Sequence, residues 1–203
     1  MSFVFGDPEG NSIPNIIDQT ISFLPTQNTA ITGPLNVVNN EIKAIPFDIA
    51  SPTSIRAFYF QVLSPGGGSL NLAIYKYSRE TNQWDKQTFT SSGGQFIGQL
   101  DAPLNVGGVN EIVYPSPWLK VDAGKYCIAW RASAPGAQIQ GLYKLRSTNR
   151  FTGQIVPFPS MTAFRNIMVF NTSYNPTMPN QIFFNPYQYR EDLYHENFQI
   201  RLG

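Results

Sequence analysis

The chain has few side chains of the kinds that nucleophilic or acid–base catalysis uses. Its single histidine, His195, lies in a charged stretch, and its single cysteine, Cys127, lies next to the apolar residue Ile128. A Ser-His-Asp or Cys-His arrangement would therefore depend on His195 as its imidazole base. We interpret His195 as a solvated loop histidine and Cys127 as a buried structural residue. The sequence thus predicts no catalytic pair.

Carboxylates are the remaining candidates for general acid–base chemistry, and the chain contains 13 of them. A glycoside hydrolase would need two carboxylates in one cleft. The acids near the predicted strands stand in turn-like contexts that favour hydrogen bonds to their own backbone: Asp48, Asp85, Asp101 and Asp122. We expect Glu111, which precedes Ile112, to face solvent or to pair with a basic residue. The sequence therefore predicts a protein that is not an enzyme.

The residue types in the sequence do not indicate a metal site or a cofactor site. A structural zinc ion needs four nitrogen or sulfur ligands, which Cys127 and His195 cannot supply. Calcium could use loop carboxylates, amides and carbonyls, but no Asp-x-Asp-x-Asp spacing occurs. We expect neither a metal site nor a cofactor, and a single cysteine allows no intrachain disulfide.

The charge balance argues against two classes of partner. The chain has 14 Lys+Arg against 13 Asp+Glu, for a net charge of +1, whereas binding to nucleic acid phosphates needs a basic excess. No apolar run approaches the ~20 residues of a membrane helix, and residues 1–8 lack the pattern of a secretory signal. We therefore expect a soluble protein, synthesised in a cytoplasm, that binds neither nucleic acid nor membrane.

Apolar residues alternate with polar ones in most segments, and helical periodicity is almost absent. Short strands separated by turn residues are typical of a β-sandwich. We predict an all-β fold, an antiparallel, jelly-roll-like β-sandwich over residues 36–203 preceded by an extended N-terminal arm. The alternation predicts a core built from these residues: Leu70, Leu72, Ile74, Tyr126, Ile128, Trp130, Phe198 and Ile200.

Residues 1–35 form the predicted arm, in which short apolar patches are interrupted by prolines that disfavour central strands. Its candidate partner-binding residues are the apolar side chains that such a segment cannot bury in a core of its own: Phe3, Phe5, Ile13, Ile16 and Ile17. One interpretation is that a partner protein buries them. The other is that they pack across the sandwich as an edge strand.

Several aromatic residues lie in or near predicted loops beside amide and carboxylate side chains: Trp84, Trp118, Tyr187, Tyr189 and Tyr194. Exposed aromatic platforms of this kind bind sugars. Aromatic enrichment is equally typical of protein interfaces. A third interpretation is that the two tryptophans cap the open ends of the core while the tyrosines lie in an interface.

Three segments carry a resemblance to a known module. They are Leu70–Tyr75, with its Leu-x-Leu-x-Ile-Tyr pattern, Leu119–Trp130, with a glycine two residues before Tyr126, and the closing strand Phe198–Leu202. Residues 40–203 resemble a β-sandwich module that recurs in virion proteins of tailed bacteriophages, especially tail-fibre and other appendage proteins.

This resemblance implies a virion structural protein that docks onto other subunits as a tail, baseplate or fibre-associated component. A capsid decoration (cement) protein and a carbohydrate-binding receptor-recognition module are the alternatives. The implied partners are other virion proteins, further copies of the chain in a homo-oligomer and, for the last alternative, a host surface glycan. The implied location is the virion.

Overall fold

A computed structural model describes residues 19–22, 29–144, 147–148, 155–156, 167–183, 189–190, 194–196 and 198–203 of the chain. The regular elements of this part are all β-strands, and no helix that could span a membrane occurs in it. The first ten strands are β1 (Gln19–Ser22), β2 (Thr29–Asn36), β3 (Glu41–Ile49), β4 (Thr53–Ser64), β5 (Ser69–Ser78), β6 (Gln83–Lys86), β7 (Phe89–Thr90), β8 (Phe96–Ile97), β9 (Leu100–Pro103) and β10 (Gly108–Val113). The remaining strands are β11 (Leu119–Val121), β12 (Gly124–Ala132), β13 (Gln138–Lys144), β14 (Ser147–Thr148), β15 (Ile155–Val156), β16 (Ile167–Asn171), β17 (Gln181–Ile182), β18 (Tyr189–Arg190), β19 (Tyr194–Glu196) and β20 (Phe198–Leu202).

Two large antiparallel sheets make up the fold. The first sheet has the order β1-β20-β4-β13-β19, with β10 and β11 paired to β4 and with β2 paired to β13. The second sheet has the order β17-β6-β5-β12-β3-β16-β18, with β9 paired to β5. Two further sheets have two strands each, β7-β8 and β14-β15. The predicted all-β, antiparallel β-sandwich is confirmed.

The main core lies between the two sheets and unites side chains from both. Trp130 of β12 packs on Phe198 of β20 with ring centroids 4.7 Å apart, and Phe60 of β4 packs on the same Phe198 at 5.9 Å. The eight residues predicted to form the core are all buried in this one cluster. Alternation along the strands therefore identified the inward faces correctly.

The central strands of the second sheet are also buried on their outer face. In β5 the residues between the core positions, Ala73 and Tyr75, are as inaccessible as Leu72. In β12 the same holds for Cys127 and Ala129. These side chains form a second apolar cluster with Trp84, Met178 and Ile182. Burial on both faces requires a cover outside the sheet.

Residues 174–180 form that cover, which we call the strap. It contains no strand, and the second sheet holds its backbone mainly through side chains, with one backbone bond from the N–H of Lys86 to the carbonyl of Asn180 at 2.8 Å. Tyr75 donates to the carbonyl of Pro179 at 2.7 Å, and Lys86 Nζ donates to that of Met178 at 2.7 Å. Arg131 donates to the carbonyl of Asn175. Buried backbone groups need such partners, so these side chains hold the strap on the sheet.

Part of the predicted arm belongs to the sandwich. β1 pairs with β20, and β2 pairs with β13, so residues 19–22 and 29–36 extend the first sheet. Pro34 lies where the register shifts between Gln140 and Gly141, and such irregularities tolerate the missing N–H of proline. The predicted boundary at residue 35 therefore does not coincide with the edge of the sandwich. Residues 1–18 lie outside the described residues.

Candidate functional site

Strand β10 forms an open edge of the first sheet. Its residues pair with β4 in the register Gly108 to Val62 through Val113 to Ala57, and among the described residues it pairs with no other strand. The side chains alternate along it, so Ile112 packs against the main core while Val109, Glu111 and Val113 face outward. We call this outer border of Gly108–Val113 the β10 edge.

The β10 edge concentrates exposed apolar surface. Val109 is 74% exposed and Val113 is 52% exposed, although both are β-branched residues that pack well in sheets. Leu63 at the end of β4 and Val106 just before β10 are also exposed. Four of the seven large apolar side chains exposed in the described residues thus lie on β10 or beside it. Sheet edges of this kind pair readily with other chains unless charges, prolines or a cover protect them.

Glu111 lies at the centre of this face in a small polar cluster. Tyr59 donates a hydrogen bond of 2.6 Å to Glu111 Oε1, and Arg201 Nη1 lies 3.1 Å from the same oxygen. The pKa of the Tyr59 hydroxyl is raised, first by burial and then by its bond to Glu111. The prediction that Glu111 faces solvent or pairs with a basic residue is confirmed. This carboxylate therefore ties β10 to Tyr59 of β4 and to Arg201 of β20.

Trp84 is not an exposed platform. It lies within β6, is only 7% exposed, and packs on the ring of Tyr77 with centroids 5.3 Å apart. The platform interpretation is wrong for Trp84 because the strap and β17 extend the apolar cover over this end of the second sheet. Its cross-strand neighbour Ile182 is buried with it. Trp84 therefore stabilises the fold and offers no face to a sugar or a partner.

Trp118 is half-buried at the border of the main core. Its backbone has a φ of 64°, and its indole ring supports the guanidinium of Arg56, whose Cζ lies 4.1 Å from the ring centroid. Such a cation–π contact already occupies one face of the ring. The position matches the interpretation of Trp118 as a cap on the end of the core.

The remaining predicted site residues lie outside the described side chains. Tyr187 and the arm residues are outside the described residues altogether: Phe3, Phe5, Ile13, Ile16 and Ile17. The structure gives the backbone of Tyr189 in β18 and of Tyr194 in β19, and no side-chain arrangement for either. Their roles stay predictions.

The two candidates for nucleophilic chemistry are on strands. Cys127 is fully buried in the second apolar cluster, and burial raises the pKa of its thiol well above the usual value. The prediction of a buried structural cysteine is confirmed. His195 lies in β19 opposite Leu142 of β13, so its predicted loop position is wrong. Within the described part of the chain, no group of three or more His, Cys, Asp and Glu side chains could hold a metal ion.

A shallow cleft of about 370 Å³ lies at one end of the second sheet. Basic residues dominate its lining, which includes Lys76, Arg79 and Lys125 together with the acidic Asp48. Tyr77 adds an aromatic ring that is partly accessible. This combination suits an anionic group such as the carboxylate of an acidic sugar. The cleft gives no local signal in the sequence, because its residues lie on or just after three strands, β3, β5 and β12, that are far apart in the chain.

Comparisons with known protein families and with curated proteins give no match for this chain. We therefore infer a function from the residues and geometry of the chain itself.

Proposed function

We propose that this chain is a non-enzymatic structural protein of a tailed-bacteriophage virion, which docks onto other particle subunits in the tail or baseplate region or beside a fibre. The observation that carries the proposal is the β10 edge, where exposed Val109 and Val113 lie on a strand that pairs on one side only among the described residues. The resemblance of residues 40–203 to a virion sandwich module supports it independently.

The edge favours docking because its chemistry is unsuited to permanent exposure. Water-exposed sheet edges normally carry lysines, prolines or bulges that prevent pairing with another chain. Here two valines and one ion-paired glutamate occupy the outward positions, and Leu63 and Val106 extend the apolar surface. Exposed apolar side chains that flank a small polar cluster in this way are typical of protein association sites.

Two alternative functions are each compatible with a specific surface of the protein. A capsid decoration protein would use the same edge and arm on a different part of the particle. A carbohydrate-binding receptor-recognition module is favoured instead by the cleft at Lys76, Arg79 and Lys125, where an anionic host glycan could bind. Neither alternative needs catalysis.

Quantitative mass spectrometry of purified phage particles tests the proposal. The expected result is that this chain copurifies with the major tail proteins in a fixed ratio after dissociation of capsids from tails. Copurification with empty capsids would favour the decoration role. Absence from the particle would overturn the proposal.

A glycan array with the purified full chain tests the remaining alternative. The docking role predicts no saturable binding. Binding of acidic oligosaccharides that is lost in Lys76→Glu and retained in the exposed basic control Lys120→Glu would establish the receptor-recognition role instead.

A further inference from the structure

The backbone of the β10 edge is arranged to accept another strand. The N–H of Tyr114 donates to the carbonyl of Arg56 on β4 at 2.6 Å. In an antiparallel pair, residues whose N–H and C=O groups face the partner alternate with residues whose groups face away. The backbone groups of Val109, Glu111 and Val113 therefore point outward, away from β4.

The side chains of this edge favour an added strand, as its backbone groups do. Val109, Glu111 and Val113 are also the residues whose side chains lie on the exposed outer face. A strand added here would satisfy the outward N–H and C=O groups, and its side chains on the same face would pack beside the two valines. Addition of an extended peptide to a sheet edge is a common mode of recognition, in which side chains at alternate positions give specificity.

The chain itself contains a segment with the matching chemistry. Residues 2–6, Ser-Phe-Val-Phe-Gly, form an uncharged apolar run with β-forming residues and no proline. Residues 7–18 connect them to Gln19, the first residue of β1. This connection can extend over about 40 Å, at roughly 3.3 Å per residue. We propose that the β10 edge binds residues 2–6 of a second copy of this chain as an added strand, an inference that rests on the docking role proposed above.

Topology favours a second copy over the same chain. β1 pairs with β20 on one side of β4, whereas β10 pairs along the other side. β11 occupies the part of that same side next to the start of β4, where Leu119 lies opposite Ile55. The segment would have to pass around β11 to reach its own β10. Exchange between copies avoids this detour and links subunits into an assembly.

Two full-length double variants test the inference, because each removes a different half of the proposed strand pairing. Val109→Lys/Val113→Lys puts charges on the edge and keeps the segment, while Phe3→Ser/Phe5→Ser keeps the edge and removes the aromatic side chains of the segment. Sedimentation velocity over a range of concentrations should show that wild type self-associates. The dissociation constant of each variant alone should be at least about tenfold higher than that of wild type. A mixture of the two variants retains one intact pairing and should form a heterodimer.

Each other outcome overturns the inference. Loss of self-association in the edge variant but not in the Phe3→Ser/Phe5→Ser variant would mean that two edges pair directly. Any of three results would exclude exchange between copies: unchanged association in the edge variant, a mixture that forms no heterodimer, or a wild-type chain that stays monomeric. Phe183→Lys, which charges an exposed aromatic position elsewhere, is the matched control and should behave as wild type. Circular dichroism confirms that the variants fold. A chain found in the particle without this exchange would leave the docking role intact and exclude only the exchange.

Discussion

The guanidinium of Arg131 binds the backbone carbonyl of Asn175, which lies 44 residues later in the chain. Arg131 is only 2% exposed, and its second contact is with the carbonyl of Thr177 at 3.4 Å. One buried cation thus holds two points of the strap on the second sheet. This arrangement closes the outer face of that sheet, while the first sheet keeps its open β10 edge.

Replacement of Arg131 by Met keeps a long apolar stem and removes the donors to the strap. We expect a loss of about 1.5–3 kcal/mol in the free energy of unfolding, because hydrogen bonds to a charged donor are lost at a buried site. Amide exchange should accelerate in residues 174–180, as measured by mass spectrometry. Lys120→Met, at an exposed position of β11, is the control. Unchanged exchange in the strap would show that Arg131 does not hold it.

Two neighbouring glycines provide a matched test of packing in the turn between β4 and β5. A Cβ on Gly66 would lie 2.5 Å from the backbone N of Ala137, whereas a Cβ on Gly67 would meet nothing within 4 Å. We expect Gly66→Ala to lower the free energy of unfolding by about 1–3 kcal/mol through overpacking, and Gly67→Ala to change it little. Chemical denaturation measures both. Equal stabilities would contradict the close approach of this turn to Ala137.

The inward face of β12 gives a test of the main core. Ile128 is fully buried between β3 and β5, so Ile128→Ala should lower the free energy of unfolding by about 2–5 kcal/mol through lost burial and a cavity. Val109→Ala, at an exposed position, should have little effect. A small effect of Ile128→Ala in urea denaturation would mean that β12 is not central to the core.

Stability should fall at high pH because of buried tyrosines. Burial raises the pKa of Tyr114 and of Tyr75 far above the ordinary value of about 10. Their neutral forms therefore stabilise the fold fully below pH ~10, and this contribution declines as the pH rises above that value, where the unfolded chain ionises. Melting temperatures measured between neutral and strongly alkaline pH should drop less steeply in Tyr114→Phe than in wild type. Identical slopes would contradict this assignment.

The strands of the main core could be predicted because their alternation has one dominant cause. Leu70, Leu72 and Ile74 face the other sheet, and the same is true of Tyr126, Ile128 and Trp130. Burial of one face imposes a period of two that is visible in the sequence. The closing strand Phe198–Leu202 has the predicted bounds for the same reason.

The strap and the β10 edge could not be predicted in the same way. The strap has no periodic pattern, since its backbone is held mainly by side chains from β5, β6 and β12, with a single backbone bond from Lys86 to Asn180 in place of a strand ladder. The burial of Trp84 follows from the same cover. The edge depends on which strands lack a neighbour, and strand order in a sheet is decided by contacts between distant residues. Among the residues of this surface, only Glu111 was predicted from the local sequence to face solvent or to pair with a basic residue.

A cryo-EM map of the intact particle tests the docking role most directly. The account predicts that this chain occupies the tail or baseplate region and that density from another subunit covers Val109 and Val113 along the β10 edge. A map in which the chain is present with this edge facing solvent, or in which the chain is absent from the particle, would contradict it.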